Sequence, residues 1–176
     1  MNVEVSMDEN ILVRPISVDD VERYFKYGFV ESSEEAMYYT GTTQSFTLNQ
    51  IKDYVTKVVD DKRRRDYLII DSNKIVGEAV LSDITDESCH FRICIFNKDD
   101  FLRGIGGKVT RWVISRAFNE LGVKNIELEV FPFNERGIAL YKKIGFRITE
   151  QVIDENSEKP YRDIVIMKLN IDEFEV

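Results

Sequence analysis

The sequence predicts an α/β fold built on one mixed sheet, parallel at a central crossover and antiparallel elsewhere. Three observations carry this. The strand-like runs DYLIID (66–71), KIVGEAVLSDI (74–84) and CHFRICIF (89–96) follow one another through short links, which suits antiparallel hairpins. A helix-periodic run over 108–122 then separates the last of them from a further strand, KNIELEVF (124–131), and such a crossover lays its two strands side by side in parallel. Two final strand-like runs flank a polar loop.

Taken in order, ILVRPIS (11–17) reads as a strand. An S-x-x-D signal at Ser17 opens a helix to about Phe29, with Val18, Val21 and Phe25 on one face. Residues 31–46 are polar and read as irregular, carrying Tyr38, Tyr39, Gly41 and Phe46. A second capping signal, T-L-N-Q from Thr47, starts a helix with Leu48, Ile51, Val55, Val58 and Val59 at helical spacing. Its end, DDKRRRD (60–66), reads as a solvated last turn whose cations oppose the helix dipole. In the helix over 108–122, Val109, Trp112, Val113, Ala117 and Leu121 form a stripe and Gly122 is the stop signal. NERGIALYKKIG (134–145) is a short helix capped by Asn134 and ended by Gly145. FRITEQVI (146–153) and DIVIMKLN (163–170) bring the sheet to about seven strands.

Composition excludes several functions. A chain of 176 residues, 43% of them hydrophobic, fits one domain over 1–176 with a sizeable core. Net charge is −8, which argues against nucleic acid and anionic membrane as partners. The opening Met1–Asn10 is acidic and polar, unlike a targeting signal, and no apolar run approaches a membrane span. A single histidine, His90, leaves no cluster for a metal and no Ser-His-Asp triad; it reads as a half-exposed strand residue. Cys89 and Cys94, five apart in one strand, point to opposite faces, so no disulfide joins them. A reduced, cytoplasmic protein is the expectation.

The chemistry concentrates in FLRGIGGKV (101–109). Lys108 is followed by Val109 rather than Ser or Thr, and the position three after Gly106 is also Val109, so neither a Walker A loop nor a dinucleotide fingerprint fits. Gly104, Gly106 and Gly107 nonetheless let backbone amides converge, and a helix starting near Lys108 adds its free N–H groups. The segment is either a pyrophosphate cradle or a glycine-rich turn.

With the run VFPFNERGIALYKKIGF (130–146), which combines N-x4-A with Y-x-K-x-G-F, the sequence resembles the GNAT superfamily of acyl-CoA-dependent N-acetyltransferases. The resemblance extends from RPISVDDVERYF (14–25) to IVIMKL (164–169). It is nearest the branch of ribosomal-protein N-terminal and spermidine acetyltransferases. It implies a GNAT-like sheet with a parallel, splayed strand pair and flanking helices, and acetyl-CoA as cosubstrate without a metal. Arg103, Gly104, Ile105, Gly106, Gly107 and Lys108 would hold the pyrophosphate. A free amide near Cys94 or Ile95 would face the thioester oxygen, where the strands 92–96 and 126–130 part. The pantetheine arm would lie between them like an added strand. Asn134 would contact the cofactor while capping its helix, Tyr141 would protonate the leaving thiolate, and Lys143 would have at most a minor phosphate role. Tyr141 read without the motif is a core aromatic.

Two positions depart from the family pattern. Lys108 stands where the loop's last small residue belongs. Arg92 stands where many relatives carry a glutamate base; Glu78 and Glu129, on neighbouring strands, are either substitutes or solvent-facing carboxylates. The expected activity is therefore transfer of acetyl to a primary amine, either a protein N-terminus or a small amine, with acidic composition leaning toward polycations. A non-catalytic acyl-CoA-binding module and a plain interaction domain are the competing readings. The terminal strand and DEFEV tail either seal a homodimer edge or fray.

Overall fold

Turn chemistry and one crossover lay out the sheet. A computed structural model describes Val5, Ser6 and residues 10–175; most of the acidic opening read at Met1–Asn10, and the last residue of the DEFEV tail, lie outside them. Strand β1 (Val5–Ser6) pairs with β2 (Ile11–Pro15), and β2 runs antiparallel to β3 (Arg65–Asp71). Between β3 and β4 (Lys74–Ser82), Ser72 and Asn73 both take positive φ, 46° and 78°, the two-residue turn whose twist matches its flanking strands. Strand β5 (Ser88–Ile95) returns antiparallel to β4, and β6 (Asn125–Val130) joins β5 in parallel after the crossover. Strands β7 (Arg147–Ile153) and β8 (Asp163–Asn170) finish the order β1-β2-β3-β4-β5-β6-β8-β7. The described sheet thus has 8 strands rather than about seven. The addition is β1, whose two residues are too short to leave a pattern.

Among the described residues five α-helices cover the two faces: α1 (Val21–Phe25), α2 (Glu34–Thr40), α3 (Leu48–Val59), α4 (Ile105–Arg116) and α5 (Glu135–Ile144). Alternation along the strands sorts the side chains. Tyr67 and Ile69 of β3 join Val109, Val113 and Ile114 of α4 in one core, whereas Leu68 and Ile70 join Val21, Ile51 and Val55 of α1 and α3 in the other. Cys89 belongs to the first core and Cys94 packs against the second, so the two thiols do face opposite ways and both are free.

The first helical region is not one regular helix. It begins as a 3₁₀ turn at Val18–Asp20, passes through α1, and widens into a π turn at Lys26–Val30. Asp20 anchors its start by accepting from the Ser17 amide at 2.9 Å and from both terminal nitrogens of Arg14 at 2.7 and 2.6 Å.

Residues 31–46 are not wholly irregular, because α2 lies within them. Ser33 caps it, its hydroxyl accepting from the Ala36 amide at 3.2 Å, and Gly41 stops it in the left-handed region at φ 69°. The same Ser33 donates its amide to the Phe96 carbonyl at 2.9 Å, which fixes α2 beside the end of β5.

Candidate active site

The glycine loop is the first turn of a helix, not a lead-in to one. Gly104, at φ 76°, is the N-cap of α4, so the helix starts three residues before the expected Lys108. Helix geometry leaves the amides of Ile105, Gly106 and Gly107 without intrahelical acceptors, while Lys108 already donates its amide to the Gly104 carbonyl at 3.3 Å. The three glycines have separate tasks. Gly104 supplies the positive φ, and Gly107 allows close packing: a Cβ there would stand 3.3 Å from Leu140 of α5. Gly106 keeps the turn uncovered. Lys108 is exposed beyond the turn.

Arg103 does something other than face the cradle. Its guanidinium bonds Asp100 at 2.6 Å and Asp71 at 2.7 Å, fastening the loop to the end of β3.

Strands β5 and β6 pair only at Ser88–His90 with Asn125–Glu127; beyond that, β5 keeps to β4 and β6 to β8. A gap opens between them. Phe96 donates its amide to the Val76 carbonyl at 2.9 Å, and in an antiparallel ladder the donors alternate. The amides of Cys94 and Arg92 therefore face β4, and those of Ile95 and Ile93 face the gap. Of the two residues expected to supply the free amide, Ile95 has that orientation and Cys94 does not.

The gap opens onto a cavity of about 1090 Å³ on the face of α1 to α3, lined among others by Cys94, Asn134 and Tyr141. Asn134 caps α5 by accepting from the Gly137 amide at 3.0 Å. Tyr141 is buried, its ring packed edge-on against Phe91 and Phe146. Burial first, and the neighbouring Cys94 second, hold its phenol well above the ordinary tyrosine range. Consecutive residues of α5 thus join the two features: Leu140 touches the glycines and Tyr141 turns to the cavity. Lys143 is apart from both, exposed in the last turn of α5, where its carbonyl accepts from Arg111 at 3.4 Å.

Between the cavity and the sheet lies a polar network that the sequence did not reveal. Glu78 is buried; it accepts from the Tyr24 hydroxyl and pairs with Arg92 at 3.1 Å. Alongside, Tyr54 donates to Asp66 at 2.9 Å and accepts from Arg64 at 2.7 Å. Of the basic run 62–65, read as wholly solvated, Arg64 turns inward. A D-x-x-R-R-R-D pattern hides this, because the partner Tyr54 is ten residues upstream on α3. Glu129, by contrast, is exposed on the cavity side of β6. His90 is half-exposed on the cavity wall, 3.7 Å from Glu127.

Tyr39 and Phe131, on the cavity wall, belong to a cluster of aromatic rings. Tyr38 and Tyr39 of α2 meet Phe133 at 4.6 and 6.3 Å, and Phe133 stacks on Phe131 at 5.3 Å.

Burial pushes both the Cys89 and Cys94 thiols up to about 12, so neither is a thiolate at neutral pH. Cys94→Ala keeps turnover within about threefold, checked by steady-state rates. The linkage also has a sign. A thiol raised in the folded state contributes stability that is intact below its unfolded value and lost as pH rises through the folded one. Melting temperature therefore falls between about pH 9 and 12, and Cys94→Ala makes the fall shallower.

Residues 10–147 match the family model described as Acetyltransferase (GNAT) domain. Among curated proteins, Acetyltransferase PseH of Campylobacter jejuni is 26% identical over 98 residues, 56% of this chain, and the match spans 60% of that protein's length. Among solved structures, the ribosomal-protein-S5-alanine acetyltransferase from Vibrio fischeri superposes with a TM-score of 0.86 at 18% identity, covering 99% of this chain and 100% of that one. Spermidine N-acetyltransferase from Vibrio cholerae, in complex with CoA and spermine, gives 0.80 at 18% identity over 94% of this chain and 98% of its own. At such identities the superpositions speak for the fold.

Proposed function

Because this chain belongs to the acetyltransferase (GNAT) family, we propose that it transfers the acetyl group of acetyl-CoA directly to a primary amine. The observation that supports this best is the junction made by α5: Leu140 lies against the uncovered first turn of α4, and Tyr141 lies at the cavity behind the strand gap. Three outward amides at the positive end of a helix suit a pyrophosphate, and no Cβ at Gly106 blocks its approach.

Bound acetyl-CoA supplies an activated thioester. The amide of Ile95 or Ile93, turned to the gap, stabilises the charge that develops on the thioester oxygen. Tyr141, held in its protonated form, gives its proton to the departing sulfur. Glu129 takes the proton of the attacking amine through water, which Arg92, permanently charged, cannot do. The acceptor is a protein N-terminus or a small amine; the two fold neighbours above are named for an alanine of a ribosomal protein and for spermidine.

Calorimetric titration with acetyl-CoA, followed by thiol release across an amine panel, tests the reading. Micromolar binding and amine-dependent CoA release are expected. Binding without transfer to any amine would leave a non-catalytic acyl-CoA-binding module; no binding at millimolar acetyl-CoA overturns both.

A further inference from the structure

Chain-wide acidity suggests a polycationic acceptor, but on the cavity floor the guanidiniums stand outermost in their ion pairs. Arg92 with its partner Glu78, and Arg64, line it, and in the Arg92–Glu78 and Arg64–Asp66 pairs the carboxylate sits behind the cation. Glu78 has 9% of its side chain exposed against 55% for Arg92; Asp66 has 4% against 23% for Arg64. The carboxylates are further occupied, Glu78 by the Tyr24 hydroxyl and Asp66 by that of Tyr54. What faces the open space is therefore the outer edge of two arginines.

Their arrangement follows from the sheet. Arg92 of β5, opposite Val80 of β4, is on the strand that borders the gap, and Arg64 precedes β3, two strands further out. On the far side of the gap stands Glu129 of β6. Asp83, also on the cavity wall, is 3.9 Å from Arg63. A molecule spanning the gap and the floor thus has a carboxylate at one end and guanidiniums at the other.

Resting on the acetyltransferase reading above, we infer that the acceptor is a small amine bearing an anionic oxygen group, carboxylate or phosphate, which Arg92 and Arg64 recognise while the amine lies toward Glu129. Guanidinium forks match the geometry of such groups and carry their charge at every relevant pH. A polyamine placed the same way would bring a second ammonium against two cations, which disfavours it.

The test compares phosphoethanolamine, β-alanine, ethanolamine and spermidine in two assays on the full chain: calorimetric binding to CoA-saturated protein, and thiol release with acetyl-CoA. One or both anion-bearing amines should bind at least about tenfold more tightly than ethanolamine and spermidine. Which of the two binds identifies the anion as phosphate or carboxylate. Arg92→Ala should bring the ratio toward one and Arg92→Lys should restore part of it, with an acetyl-CoA titration verifying that each variant folds. Arg64→Ala provides a second route should Arg92→Ala fail to fold. Arginine-dependent binding without thiol release would remove the transfer reading and leave the anion site standing. Spermidine binding as well as the anion-bearing amines, a ratio insensitive to both arginines, or no binding of any amine would overturn the inference.

Discussion

Tyr141→Phe lowers kcat by about 10² to 10³ while acetyl-CoA affinity stays within about threefold. The proposed cofactor contacts are made by backbone groups of α4 and of the gap, and the substitution touches none of them. The ring remains wedged between Phe91 and Phe146, so its packing is retained. Only the proton donor is removed, and the sulfur must then leave as a bare thiolate. Burial holds the phenol above its ordinary range, so the donor form persists through neutral pH and Tyr141 sets no alkaline limb below about pH 10. Single-turnover rates with the variant, beside its melting temperature, check this. An unchanged kcat would return Tyr141 to the role of a core aromatic.

Gly106→Asp weakens acetyl-CoA binding by about 100-fold without lowering the melting temperature. A Cβ at Gly106 would lie 3.9 Å from Leu140, an ordinary contact, so the helix accepts the side chain. A carboxylate in the first turn favours the helix by opposing its dipole, and replacing a helical glycine lowers the entropy lost on folding. The same carboxylate occupies the place proposed for the pyrophosphate and repels it. Stability and affinity therefore move apart, which a general folding defect cannot imitate. Calorimetry beside thermal melting reads both. Gly107→Asp is the poorer choice, since its Cβ would press on Leu140 at 3.3 Å.

The same glycines explain what the sequence disclosed and what it concealed. They marked the loop as a place where amides converge, but glycines at 106 and 107 are poor helix formers, so the helix seemed to begin after them. A left-handed Gly104 cap and packing against Leu140 outweigh that propensity. The long amphipathic helices and the hairpin strands were legible because each buries a periodic stripe of Val, Ile or Leu. Helix α2 was not: of its seven residues only Ala36 is buried. Its signals were Ser33, the acidic pair Glu34 and Glu35, and Gly41, which together mark a capped helix even without a stripe. Arg64 was hidden for another reason. A run of cations looks solvated until the fold sets Tyr54 and Asp66 beside one member. The inverted order of charge on the cavity floor, cation over carboxylate, depends on depth, and depth does not show in a linear pattern.

The pairing of β5 with β6 has a mechanical meaning as well. Three residue pairs join β1–β5 to the set β6, β8 and β7, and this is the shortest interior seam of the sheet. The sheet is in effect two leaves with a partial hinge, held in common by the core under α4 and α5. A pantetheine arm between the leaves would supply rungs that the chain lacks. Amide exchange at Ile93 and Ile95 is then fast in the free protein and slow in the loaded one. Saturation at 100 times Kd would add about 2.7 kcal/mol to the resistance of the leaves to unfolding. The donor of the acetyl group would double as the stitch that closes the sheet, and each release of CoA would reopen it.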